Sequence, residues 1–69
     1  MITLNEIQKR LATAIKQSGK TQLEIAKQIG INQATISHYI KGDKMPSLDT
    51  FANLCVCLDI DAGEILGTH

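Results

Sequence analysis

Aromatic residues are almost missing from this chain: one Tyr, one Phe and no Trp, 3% in all. The core must therefore be built from Ile, Leu, Ala and Val, a palette that suits packed helices. Long apolar runs are missing too. No stretch approaches the ~18 residues of a membrane span, and the N-terminus MITLNEIQKR has no signal-peptide pattern. A soluble, cytoplasmic protein without membrane contact is expected. Cysteine is scarce, with only Cys55 and Cys57, whose i,i+2 spacing on a helix points them to different sides. His38 and His69 are the only histidines and lie far from them in sequence, so no four-ligand metal site is at hand. Reduced thiols are expected, Cys55 facing inward and Cys57 at the surface or in a subunit contact. The chain also has no nucleophile with a base, no paired carboxylates and no Gly-rich phosphate loop. Neither catalysis nor a cofactor is expected.

Net charge is absent as well, since seven basic residues balance seven acidic ones. Taken alone, that balance argues against a nucleic-acid ligand; its distribution argues the other way. All seven cations lie at or before Lys44, against Glu6, Glu24 and Asp43, which leaves residues 1–44 at +4. Residues 45–69 hold Asp49, Asp59, Asp61 and Glu64 with no cation, which leaves them at −4. The chain is an electric dipole whose positive half can face phosphates while the acidic half faces away.

Sixty-nine residues make a single domain spanning 1–69, with no room for a second. Helical spacing runs through it. Leu4, Ile7, Leu11, Ala14 and Ile15 form one apolar stripe, predicting a first helix over 4–18. Thr3 with Glu6 fits a capping box at its start, and Gly19 offers a left-handed stop. Thr21 with Glu24 opens a second helix that ends near Ile29. Asn32 is a good N-cap for a third, which continues to Lys41 and stops at Gly42. After the loop Gly42-Asp43-Lys44-Met45-Pro46, Ser47 can cap a fourth helix with Leu48, Phe51, Ala52, Leu54, Cys55 and Leu58 inward. Asp61 with Glu64 makes a third capping box for a short fifth helix carrying Ile65 and Leu66. The expected fold is an all-α bundle of five helices.

The second and third helices carry the most information. In QLEIAKQIGINQATISHYIK, residues 22–41, Ile25, Ile29, Ile31, Ile36 and Tyr39 pin two short helices to a common core. The small Ala26 lets their backbones approach, and Gly30 tolerates positive φ at the corner. This is a helix-turn-helix pattern. It leaves Gln33, Ala34, Ser37 and His38 on the outer face of the third helix. A polar, uncharged face of small residues is what base-edge reading in a DNA major groove requires.

Several segments resemble the phage repressor/Cro-type (XRE-family) helix-turn-helix domain. They are TQxExA opening the second helix, G-x-N-Q at the turn, ISxYxxG closing the third, P-S-L-D-T-F-x-x-L-C-x-x-L-x-I and D-x-G-E-I-L. The likeness covers almost the whole chain. It implies a lambda-repressor-like domain that reads DNA in sequence-specific fashion, usually as a dimer. Carried over by position, Gln33, Ala34, Ser37 and His38 match base-facing positions. Gln22 matches a residue that touches phosphate, and Asn32, Thr35, Lys41 and Lys44 lie where further phosphate contacts are expected. Many members pair an Arg in the first helix with a Glu near the end of the third. Ile15 and Ile40 stand at the equivalent positions here, an exchange that need not cost stability because no charge is desolvated.

Gln33 is the leading candidate for direct readout, since an amide binds adenine N6/N7 bidentately. Ala34 offers a methyl to thymine, or is simply a good helix former. His38 can bond a base or a phosphate, and Thr35 can contact phosphate or serve the helix start. The function expected is a transcriptional regulator of bacterial, phage or prophage origin, a Cro- or repressor-like protein binding a double-stranded operator as a homodimer. One short helix reads only a few base pairs, and two-fold pairing sets two such helices ~34 Å apart. Dimer contacts are expected from Val56, Leu58, Ile60 and Leu66. An alternative is an antitoxin that binds a toxin protein and its own promoter. A third reading is a protein-interaction adaptor with no DNA contact.

Overall fold

A computed structural model describes residues 1–68. The chain forms α1 (Leu4–Gln17), α2 (Gln22–Ile29), α3 (Gln33–Lys41), α4 (Leu48–Leu58) and α5 (Ala62–Leu66), with no strand among the described residues. Each boundary has a local cause. Thr21 accepts from the Glu24 backbone N–H while the Glu24 carboxylate accepts from Thr21, a complete capping box. Asn32 Oδ1 accepts from the Ala34 N–H at 2.8 Å and starts α3. Gly30 ends α2 in the left-handed region at φ 73°, its N–H bonded to the Ala26 carbonyl. Among the described residues, no helix is long and apolar enough to cross a membrane.

The core draws on every helix. Leu11, Ile25, Ile36 and Leu54 are fully buried, with Ile15, Ala26, Tyr39, Phe51, Cys55, Leu58 and Ile65 around them. At roughly 1.5–3 kcal/mol for each large side chain removed from water, this cluster is what holds so small a domain together. α3 lies between α1 and α2, and α4 packs on α2. Ala26 is 3% exposed at the α2–α3 corner, where its single methyl permits the close crossing. Ile15 is buried and Ile40 packs against the same cluster, so the apolar exchange expected from the resemblance sits in the core.

Five expectations are corrected. Leu48 and Ala52 do not face inward: Leu48 is 85% exposed and Ala52 is exposed. α4 is apolar on most of its circumference, so its sequence does not reveal which side meets α2. Leu4 is likewise 62% exposed, at the first position of α1. Ser47 occupies the N-cap position of α4 but makes no cap bond; its hydroxyl donates to the Asp49 carboxylate instead. At the start of α1, Thr3 accepts from the Glu6 N–H, but the Glu6 carboxylate accepts from the Thr3 hydroxyl rather than from the Thr3 backbone N–H. Leu58, expected at a subunit contact, is part of the core, whereas Val56 is 82% exposed.

Candidate nucleic-acid interface

Burial divides α3 cleanly. Ile36 and Tyr39 point into the core, where burial pushes the Tyr39 hydroxyl above the usual phenol range. Gln33, Ala34, His38 and Lys41 are exposed and Ser37 is half-buried. These five recur at one-, three- and four-residue steps, so they form one stripe along the outside of the helix. α3 carries no acidic residue.

The start of that stripe is built by two helix beginnings. Gln22, the first residue of α2, lines a shallow surface groove with Asn32, Gln33, Ala34 and Ser37. The first N–H groups of a helix lack intrahelical partners and carry the positive end of its dipole, so this corner suits an anion. Asn32 spends its side-chain oxygen on the cap, which leaves its amide N–H groups to donate outward. Five of the nine residues singled out from sequence thus share one groove.

The other four lie apart from it. Thr35 is half-buried, with its N–H on the Asn32 carbonyl. His38, one turn along the stripe, is bonded through Nδ1 to Asp43 Oδ1 at 2.8 Å. Lys41 borders a different groove, between α1 and the end of α3, which Lys9 and Lys16 also line. Lys44 is exposed in the loop after α3.

Sequence reasoning missed how the end of α3 is anchored. Gly42 turns the chain at φ 84°, its carbonyl accepts from Gln8 Nε2 at 2.8 Å, and Asp43 is thereby returned onto His38. A His and an Asp five residues apart across a glycine was the available signal. Two cations of the positive half also prove to be committed inside the protein. Lys20 Nζ donates to the Cys57 carbonyl at 2.9 Å and to Gln28 Oε1 at 3.0 Å, closing the negative end of α4. Arg10 donates to the Glu64 carbonyl and lies 4.0 Å from Glu6.

Comparison with known proteins gives concordant results. A helix-turn-helix family model matches residues 3–65. The chain is 31% identical over 62 residues to the cryptic phage CTXphi transcriptional repressor RstR of Vibrio cholerae, covering 90% of this chain and 55% of that protein. It is 44% identical over 55 residues to the antitoxin HipB of Escherichia coli O6:H1, and 42% identical over 55 residues to HipB of strain K12. Each of these alignments covers 74% of this chain, against 58% and 62% of the relative. The chain therefore spans little more than half the length of the curated relatives it matches.

Proposed function

The chain belongs to the XRE-type helix-turn-helix family, and from that premise we propose that it is a DNA-binding transcriptional regulator whose α3 enters the major groove. The observation that carries this reading is the outward stripe of α3: Gln33, Ala34, Ser37 and His38 closed by Lys41, free of acids and beginning beside the start of α2. Gln33 is the principal base contact, with Ala34, Ser37 and His38 beside it. Gln22, Asn32, Thr35, Lys41 and Lys44 hold the sugar–phosphate backbone. Backbone contacts set register and base contacts set sequence. A single domain reading only a few base pairs gains length of site by two-fold pairing, so the regulator acts as a homodimer on a palindromic operator and represses by occluding a promoter.

Selection of bound fragments from a random DNA pool tests binding, half-site and symmetry at once. Gln33→Ala should cost about 1–3 kcal/mol on the selected site and relax one base position. If its preference matched the wild type at every position, the readout role of Gln33 would be wrong.

A second reading is favoured by the two HipB relatives, which are antitoxins. In it the chain still binds its promoter, and a toxin protein docks elsewhere on the surface. The region from α4 onward is without cations and exposes Leu48 and Val56, a surface that would suit a basic partner. Co-expression with the neighbouring reading frame separates the two. A stable complex with that product supports the antitoxin, and its absence leaves the stand-alone repressor.

A further inference from the structure

The one polar side chain of the α3 stripe whose orientation the protein itself fixes is His38. Its Nδ1 lies 2.8 Å from Asp43 Oδ1, and the two side chains are 49% and 56% exposed. A carboxylate only accepts at neutral pH, so in the neutral ring the proton must reside on Nδ1. Nε2 then carries a bare lone pair. Among the described residues nothing else is bonded to the ring. The arrangement is held from behind, because the left-handed turn at Gly42 aims Asp43 and the Gln8 bond ties that turn to α1.

We propose that Asp43 is a positioning residue for base recognition: it fixes the tautomer of His38, so that Nε2 meets the DNA as a hydrogen-bond acceptor. The inference rests on the reading that α3 enters the major groove. There, adenine N6 and cytosine N4 are the donors, whereas guanine N7 and O6 and thymine O4 accept. His38 in this state selects an amine-bearing base. Once the carboxylate is removed, the neutral ring can move its proton to Nε2 and donate instead, so the preference at that position fades. In sequence Lys41 and Lys44 stand on either side of Asp43, and Gln8 reaches the adjacent Gly42 carbonyl from α1.

The test is run at pH 8. Fragments selected by the wild type should show one position at which adenine or cytosine exceeds guanine or thymine by roughly 3- to 10-fold, the worth of one hydrogen bond. Asp43→Ala should bring that ratio close to one, and Asp43→Glu should restore part of it. In a His38→Ala background, Asp43→Ala should leave the ratio as it is. Removing a negative charge tightens binding to every sequence, so the ratio is the quantity to read. In the free protein, ring nitrogen-15 shifts should report a proton on Nδ1 of His38, with His69 distinguished by His69→Gln. A proton on Nε2 in the wild type overturns the proposal, as does a ratio that Asp43→Ala leaves unchanged. Failure to bind any fragment overturns instead the reading of α3 on which it stands.

Discussion

At the residue scale the backbone itself makes testable demands. Among the described residues, left-handed φ occurs at Gly19, Gly30, Gly42 and Gly67 and at one residue with a side chain, Asp59 at φ 53°. Asp59 also places a negative charge at the carbonyl end of α4, where the helix dipole opposes it. Asp59→Gly should therefore stabilise the protein by about 0.5–1 kcal/mol and raise its melting temperature by a few degrees. Gly30→Ala should do the reverse. A methyl there would meet nothing within 4 Å, so its effect comes from the left-handed backbone alone, about 1–2 kcal/mol of destabilisation. Urea unfolding of both variants checks the pair, and equal shifts of the same sign would show that backbone strain does not govern these corners.

At the level of the helices, what was legible in the sequence followed from redundancy. α2 and α3 carry a capping signal at the start, a glycine at the end and an apolar pattern between, and all three agree. Their boundaries and buried faces match expectation for that reason. α4 offered only one usable signal. LDTFANLCVCL has apolar residues on every side, so the choice between Leu48 and Leu54 as the buried leucine depends on how α4 meets α2, which periodicity alone does not set. The consequence is measurable. Leu54→Ala, at a fully buried position, should cost about 2–5 kcal/mol, much of the stability of a domain this size. Leu48→Ser, at 85% exposure, should stay within roughly 0.5 kcal/mol. The outward stripe of α3 was legible because its neighbours Ile36 and Tyr39 left it no other side. The anchoring of His38 by Asp43 was not, since it depends on a turn whose direction only the tertiary contact with Gln8 reveals.

For the molecule as a whole, charge and titration act through where each group ends up. The positive half holds seven cations, yet Lys20 and Arg10 are engaged with carbonyls of the protein. Lys41→Ala should therefore reduce the slope of log affinity against log salt by about one, whereas Lys20→Ala should lower stability and leave that slope alone. Stability should also fall in alkali. Burial raises the Cys55 thiol above the usual thiol range, with the negative charge of Asp61 adding to it, and burial raises Tyr39 above the usual phenol range. Both groups are neutral when protonated, so the native state holds their protons more tightly than the unfolded chain does. That contribution is complete below the unfolded values and is lost as pH rises through the folded ones. Urea midpoints should hold steady up to about pH 8 and then decline, first through Cys55 and later through Tyr39. Cys55→Ala lowers the plateau by leaving a small cavity, but it should delay the onset of the decline to the tyrosine range. An onset unmoved by that substitution would mean that the buried thiol is not what alkali attacks.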